Sequence, residues 1–227
     1  KLNECEFHDK LVENLASAGD AFVTFNYDCI LDDSLRRKGT GKWNAHYGYG
    51  FKLGSKGRGI DGHEHWTPKN GAIVGRDSTI NVHKVHGSLH FHLREGKPIK
   101  LKPRPYGNPR AGSGDMNFSI IPPESSKTYD NGFFGEIMRA AHRSVRSATR
   151  LIVVGYSLPP SDQHAEALFR FGARREALDS LVIVNPDRTA RRRIRGALQA
   201  GMKSSTRVLS FEFLEEFVNA EPLLWKI

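Results

Sequence analysis

The sequence contains few cysteines and no long apolar segment. Two of its 227 residues are cysteines, Cys5 and Cys29, too few for a disulfide framework or a four-cysteine zinc site. No apolar run approaches the roughly 18 to 20 residues that a helix needs to cross a bilayer. No basic segment followed by an apolar one at the amino terminus resembles a secretory signal. We therefore expect a cytoplasmic protein with no membrane partner.

Acidic residues are fewer than basic ones. The 34 lysines and arginines against 25 aspartates and glutamates give a formal net charge of +9, and arginines crowd residues 187–199, DRTARRRIRGALQ. A basic excess suits a protein that binds a dinucleotide, a nucleic acid or another anion. Charge runs are usually the solvated face of a helix, which we favour here. Nucleic-acid binding through this basic face stays open as an alternative.

Short apolar runs alternate with helical patterns along the chain. Four runs predict strands: 21–28, 80–88, 150–159 and 180–187. Residues 205–213 predict a last strand, followed by a short acidic helix. Three helices are predicted from apolar stripes, the last capped by Asp187: Phe134, Ile137, Met138, Ala141 and Val145; Ala165, Leu168, Phe169 and Gly172; Ala190, Ile194, Ala197 and Leu198. This alternation predicts an α/β fold, a parallel sheet with helices on both faces.

Two stretches lack any sustained hydrophobic period. Residues 37–79 are rich in glycine, aromatic and polar residues, and so are residues 94–118. Long loops of this kind inside a compact domain are usually functional or disordered. We therefore predict one domain formed by residues 1–36 and 80–227, with residues 37–79 as a loop-rich insertion or lid.

Each of the four apolar runs ends in small or polar residues: Asn26 and Asp28, His86 and Gly87, Gly155 and Ser157, Asn185 and Asp187. In an open parallel sheet, the carboxyl ends of the strands form the crevice in which ligands bind. One such ending would be weak evidence. Four together indicate a binding site along one edge of the sheet.

The same strand ends resemble those of a known family, the sirtuins. The motifs, in chain order, are TFNYD (24–28), VHGS (85–88), GYSL (155–158) and VNPD (184–187). They look like the Thr-Gln-Asn-x-Asp segment of sirtuins, their catalytic His-Gly, their Gly-Thr-Ser segment and their late asparagine-containing nucleotide contact. The spellings are most similar to the bacterial sirtuin-like branch, the silent-information-regulator-two-like domains. Residues 120–137 resemble that branch as well, and the resemblance spans residues 20–215.

The resemblance implies a Rossmann-like domain that hydrolyses NAD, its substrate, to nicotinamide and ADP-ribose, often as the effector of a bacterial anti-phage defence system. By position, Asn26 would orient the nicotinamide ribose and the attacking water, Asp28 would hold the carboxamide, and His86 would act as general base or polarise a ribose hydroxyl. The other matched positions would bind the cofactor: Thr24, Gly87, Gly155 and Ser157 (the last two at a ribose or phosphate), and Asn185 at the adenosine ribose. Cleaving an N-glycosidic bond develops oxocarbenium character on the ribose, so oriented oxygen acceptors and a base of near-neutral pKa suit the reaction.

Two parts of the sirtuin pattern are missing from the sequence. The family begins with a strand and a Gly-Ala-Gly loop that cradles the pyrophosphate, whereas this chain opens on a predicted helix leading into what corresponds to the second strand. We expect the missing segment to lie upstream of Lys1, or else the cofactor site to be incomplete. Deacylating sirtuins carry a zinc module of four cysteines, and this chain has two cysteines. NAD hydrolysis is therefore favoured over protein deacylation.

Four histidines fall within ten residues: His83, His86, His90 and His92. On a strand, His90 and His92 share one face while His83 and His86 point to opposite faces. The four imidazoles then do not converge on one metal, although residues 61–66, DGHEHW, could complete a site. We expect His86 to act in catalysis, the other three to pack or lie at the surface, and no metal to be bound.

The main alternative function belongs to a different class. A catalytically silent module could bind NAD, ADP-ribose or nucleic acid without cleaving anything. The sequence upstream of Lys1 would discriminate, because a Gly-Ala-Gly loop after an apolar strand favours the enzyme. Partner proteins or fused domains also remain open.

Overall fold

The chain folds into two compact units, each with its own core. The computed structural model describes residues 4–49, 75–92, 100–101, 118–120 and 132–220. Unit 1 comprises Lys1–Pro122 and Tyr129–Ala140, and unit 2 comprises Pro123–Thr128 and Ala141–Ile227. Most of the loop-rich segment predicted over 37–79, and most of 120–137, lies outside the described residues.

Unit 1 contains three helices, five strands and the start of a fourth helix among the described residues. In chain order these are α1 (Glu6–Lys10), a π-helical turn (Leu11–Leu15), β1 (Ala21–Thr24), α2 (Ile30–Lys38), α3 (Ala45–Gly48), a 3-10 turn (Arg76–Ser78), β2 (Asn81–Lys84), β3 (Gly87–His92), β4 (Lys100–Leu101), β5 (Phe118–Ile120) and α4 (Gly132–Ser147), which continues into unit 2.

Strands β1 and β2 of unit 1 are parallel. Thr24 pairs with Lys84 at their carboxyl ends, so the segments that follow the two strands leave the sheet side by side. One expectation was wrong in detail: the run 80–88 is not one strand. The chain turns at Val85 and His86 and returns as β3, which is antiparallel to β4 and β5. Gly87, with φ of +85°, adopts a left-handed conformation that favours glycine at this reversal.

The core of unit 1 is aromatic and tightly packed. The rings of Trp43 and Tyr49 lie 5.3 Å apart in an edge-to-face arrangement, and Tyr49 also contacts Phe91. Gly48 makes this close packing possible, because a Cβ there would lie 2.2 Å from Cζ3 of Trp43. Tyr49 therefore has its ring in the core while its hydroxyl can serve a polar partner.

Unit 2 follows the alternation that the sequence predicts. After the end of α4, its elements are β6 (Arg150–Val154), α5 (Gln163–Gly172), β7 (Leu178–Val184), α6 (Arg188–Ala197), a 3-10 turn (Gln199–Gly201), β8 (Met202–Phe211) and α7 (Leu214–Asn219). The three strands are parallel in the order β6-β7-β8. Val184 pairs with both Val154 and Phe211, so the carboxyl ends of all three strands are level.

The predicted helix faces of unit 2 are confirmed. The stripes of α5 and α6 are buried, and Asp187 caps α6 by accepting a hydrogen bond from the Thr189 amide at 2.7 Å. The chain is thus a mixed α/β protein with parallel strand pairing, compatible with a Rossmann-like fold. Among the described residues, no helix combines the length and apolar character required to cross a membrane.

Candidate functional site

The loop after β1 and the turn between β2 and β3 meet in unit 1. The Val85 amide donates to the Thr24 carbonyl at 3.2 Å, and the Leu89 amide donates to the Tyr27 carbonyl at 2.9 Å. The imidazole of His86 lies 5.3 Å from the Phe25 ring and 6.3 Å from the Tyr27 ring, centroid to centroid. The two neighbours of Asn26 in the chain therefore both pack against His86.

The predicted site residues of the loop after β1 make local hydrogen bonds and differ in their exposure. The Thr24 hydroxyl accepts a hydrogen bond from the Asn26 amide at 3.1 Å, and Asp28 Oδ1 accepts one from the Ile30 amide at 3.0 Å at the start of α2. The Asn26 side chain is exposed and Asp28 is half-buried. The structure thus groups Thr24, Asn26 and Asp28 with His86 and Gly87.

His86 itself is buried, at 3% exposure. The half-buried rings of Phe25 and Tyr27 pack against its imidazole. The rings of Phe25 and Tyr27 therefore cover part of the imidazole. The position of His86 is thus tied to that of the loop that carries Asn26.

Next to this loop lies a buried ion pair. The Nζ atom of Lys84 lies 2.7 Å from Oδ2 of Asp32, and the Tyr49 hydroxyl donates to Oδ1 of Asp32 at 2.6 Å. Lys84 Nζ also donates to the backbone carbonyl of Asp28 at 2.5 Å. The ammonium thus joins the carboxylate of α2 to the loop after β1.

Three further polar side chains complete this buried cluster. Nδ1 of His90 lies 3.1 Å from Sγ of Cys29 and 2.9 Å from Oγ of Ser88. Nε2 of His90 lies 3.6 Å from Oδ1 of Asp32. The Ser88 hydroxyl is also 3.3 Å from the Tyr27 carbonyl. We call the six residues the buried cluster: Cys29, Asp32, Tyr49, Lys84, Ser88 and His90.

Burial and the Lys84 charge set the protonation states in the buried cluster. Burial raises the pKa of Asp32, but the attraction of Lys84 and His90 and the hydrogen bonds from Lys84 and Tyr49 outweigh it, so the pKa lies below its ordinary value. Burial lowers the pKa of His90 to about 3, although Asp32 opposes this. Burial, together with Asp32, raises the pKa of the Cys29 thiol to about 12. At neutral pH the cluster therefore holds one ion pair, a neutral imidazole and a protonated thiol.

Three members of the buried cluster also have ligand types that metals use. The ligand atoms of Cys29, Asp32 and His90 all lie within 4.8 Å of one another. However, the Lys84 ammonium already neutralises Asp32, so a metal ion would have to compete with a buried ion pair for this carboxylate. The geometry favours an ion-pair network over a metal centre.

Sequence analysis did not identify the buried cluster. We expected His83, His90 and His92 to pack inside the protein or lie at its surface. His83 and His90 are buried, and the side chain of His92 lies outside the described part of the structure. One signal was available: Lys84 interrupts the strand-like run INVHKVHGS (80–88), and lysine is almost never fully buried unless it is paired. A lysine within a buried strand implies an acidic partner elsewhere in the chain.

The predicted residues of unit 2 lie at its own level strand ends. Gly155, with φ of +68°, follows β6 and donates its amide to the Val184 carbonyl at 2.8 Å. The side chain of Asn185 donates to the Tyr156 carbonyl at 3.1 Å and accepts from the Asp187 amide at 2.9 Å. Asn185 therefore holds the loop after β6 against the end of β7, and its amide group is used within unit 2.

The arginines of α6 divide into two sets. Arg188, Arg192 and Arg195 are exposed, as expected of a solvated face. Arg191 and Arg193 are half-buried instead: Arg191 Nη1 donates to the Asn185 carbonyl, and Arg193 Nη2 donates to the Ser157 carbonyl at 2.8 Å. The expectation of a solvated face is therefore wrong for these two, because each donates to a backbone carbonyl in the segment that follows a strand.

No known protein family matches the chain, and no curated protein is significantly similar to it. The functional interpretation therefore rests on the sequence motifs and on the geometry of the described residues.

Proposed function

We propose that this protein hydrolyses NAD to nicotinamide and ADP-ribose. The observation that carries the proposal is the packing of His86 between Phe25 and Tyr27, the two neighbours of Asn26. The loop that carries Asn26 and Asp28 thus packs on the turn that carries His86, where two parallel strands end, the usual position of ligand sites in α/β proteins. The order of the motifs, similar to that of the sirtuin-like branch, adds support.

The chemistry needs few groups, and unit 1 supplies them. As the bond between nicotinamide nitrogen and ribose C1′ breaks, nicotinamide leaves with the bonding electron pair and positive charge develops on the ribose. Water then bonds to C1′ and gives up a proton. Asn26 orients this water through its amide oxygen, and His86 accepts the proton or polarises a ribose hydroxyl. Asp28 accepts a hydrogen bond from the nicotinamide carboxamide.

Unit 2 is assigned nucleotide binding in this proposal. Gly155 and Ser157 are exposed at the end of β6, where backbone groups and a hydroxyl can meet a ribose or phosphate. Asn185 is 5% exposed and spans the two strand ends, so its contribution includes holding that loop in place. In unit 1, Thr24 and Gly87 are assigned to substrate binding. They hold the backbone beside Asn26 and His86 in the conformation that contacts the substrate.

The biological role in the proposal is that of an effector in bacterial anti-phage defence. The support is the resemblance alone, since many members of that branch hydrolyse NAD, often as defence effectors. Protein or fused partners would then control the activity.

The test is incubation of the purified protein with NAD, with nicotinamide release followed by chromatography. NAD at about 100 times its dissociation constant should also raise stability by roughly 2.7 kcal/mol. Thermal protection without nicotinamide release would support the silent binding module instead. Neither protection nor release, with the full-length chain, would reject both.

A further inference from the structure

The buried cluster contacts the loop after β1 at three consecutive residues. Ser88 Oγ lies 3.3 Å from the Tyr27 carbonyl, Lys84 Nζ donates to the Asp28 carbonyl at 2.5 Å, and the Cys29 thiol lies 3.1 Å from His90. These three residues directly follow Asn26. The loop is therefore anchored just beyond the residue that the proposed reaction uses.

A buried ion pair needs an explanation other than stability. Taking two charges out of water costs several kcal/mol per ion, and well-packed apolar residues of similar volume are often as stable or more so. The pair here is 1% and 0% exposed. Its ammonium does something that an apolar side chain cannot do, which is to bond a backbone carbonyl of the adjacent loop.

We propose that Lys84, held by Asp32, is a positioning residue that fixes the loop of residues 25–29 and so sets Asn26 and Asp28 relative to His86. The catalytic part of this inference rests on the proposed NAD hydrolysis; the control of the loop does not. Tyr49 donates to the other oxygen of the Asp32 carboxylate. Removing Lys84 deletes the hydrogen bond to the Asp28 carbonyl and should therefore release the loop, whereas removing the Tyr49 hydroxyl leaves that bond in place.

The Cys29 thiol provides a direct probe of the loop. Cys29 is 3% exposed, so a thiol reagent reaches it only when the loop opens. The experiment uses the Cys5→Ser background, which removes the other cysteine, and compares three additions: Lys84→Met, Lys84→Met with Asp32→Asn, and Tyr49→Phe. The double variant removes both charges and keeps an acceptor for the Tyr49 hydroxyl, so it should fold even if Lys84→Met does not.

Labelling of Cys29 should accelerate about tenfold or more in the double variant, the scale of losing one hydrogen bond from a charged donor. Urea denaturation of each variant separates this local opening from global unfolding. Tyr49→Phe should label close to the parent rate. Labelling of the double variant at the parent rate, or acceleration fully explained by lower global stability, overturns the inference.

Kinetics provide the second readout. If the parent cleaves NAD, the double variant should lose kcat with a smaller change in KM, because the loop then holds Asn26 poorly in the transition state. An unchanged kcat overturns the positioning role. If the parent does not cleave NAD but Cys29 labelling changes as expected, the proposed function fails and the control of the loop by Lys84 stands.

Discussion

Nζ of Lys84 lies 2.7 Å from Oδ2 of Asp32 in the interior of unit 1, and the two residues come from β2 and α2, 52 positions apart in the chain. Such a pair is neutral as a unit, but either partner alone is an uncompensated charge in a medium that solvates it poorly. Removing one of the two residues should therefore lower the free energy of unfolding far more than removing both.

Lys84→Met should lower the free energy of unfolding by about 3 to 5 kcal/mol, because it leaves the Asp32 charge buried without its partner. Adding Asp32→Asn removes that charge and should recover much of the loss. Urea denaturation of the two variants and the parent measures this. Strict additivity of the two substitutions would show that the residues do not interact energetically.

His90 should make stability depend on pH. Its pKa is about 3 in the folded protein against 6.5 ordinarily, so the unfolded chain binds a proton at pH values where the folded chain does not. Stability should therefore be fully present above about pH 6.5 and decrease as pH falls toward about 3. The free energy of unfolding between about pH 5 and 7 should show this slope, and His90→Asn should reduce it, by close to one proton at the acid end of this range.

His142 provides the matched control for this slope. Burial also lowers its pKa, but the side chain is only half-buried on α4. His142→Asn should therefore change the slope less than His90→Asn does. An equal effect of the two substitutions would show that burial does not keep the imidazole of His90 neutral in the folded protein. Asp32 enters only at lower pH, since its pKa lies below the ordinary carboxyl range.

Unit 2 was largely predictable from the sequence, and the reason is local. The run RLIVV of β6 is continuous and apolar, the stripe of α6 has a helical period, and Asp187 caps that helix through the amide two residues ahead. Such signals need no knowledge of distant contacts. The level strand ends then follow from parallel pairing.

Unit 1 was less predictable because its key contacts are distant in sequence. The reversal at His86 lies within the strand-like run of residues 80–88, in which only Gly87 marks a turn. The partnership of Asp32, Tyr49 and Lys84 depends on tertiary packing. Asp32 and its neighbour Asp33 look alike in the sequence, yet only Asp32 is fully buried.

Arg191 and Arg193 should matter to unit 2 more than Arg192. Arg191→Gln and Arg193→Gln each remove a charged hydrogen bond to a strand-end carbonyl and should cost about 1.5 to 3 kcal/mol of stability. Arg192 is exposed, so Arg192→Gln should stay within about 0.5 kcal/mol of the parent. Thermal denaturation compares the three single variants. Equal losses would contradict the division of these arginines.

Because some arginines of α6 are exposed and others are half-buried, nucleic-acid binding can be tested at the exposed set with little effect on stability. If the basic face binds DNA or RNA, the exposed set Arg188, Arg192 and Arg195 should carry it. Replacing all three with Gln would then reduce both the affinity and its salt dependence. A protein that binds nucleic acid equally well after this change does not use the face.

Added zinc should not bind the buried cluster. Lys84 occupies the Asp32 carboxylate and the Cys29 thiol has a pKa of about 12, so a cation would have to displace an ammonium and a proton. We expect no change in the thermal denaturation midpoint with zinc or with a chelator. Zinc that co-purifies in stoichiometric amount and disappears in Cys29→Ser would instead establish a metal site.

His86 and Asn26 should be essential for NAD cleavage, and their variants need different designs. Asn26 is exposed, so Asn26→Ala should cut nicotinamide release about 100-fold, the scale of losing a positioned catalytic group, without lowering the denaturation midpoint. His86 is buried against Phe25, so alanine would also leave a cavity, and His86→Gln retains volume while removing the base.

His83→Gln is the control for that substitution, because His83 is a histidine of similar burial on β2 and has no role in the proposed reaction. Both glutamine variants replace a buried imidazole and should lower the denaturation midpoint to a similar degree. Only His86→Gln should lose cleavage by the same order as Asn26→Ala. If cleavage falls equally in both glutamine variants, the loss reflects disturbance of β2 and its turn, and His86 has no chemical role of its own.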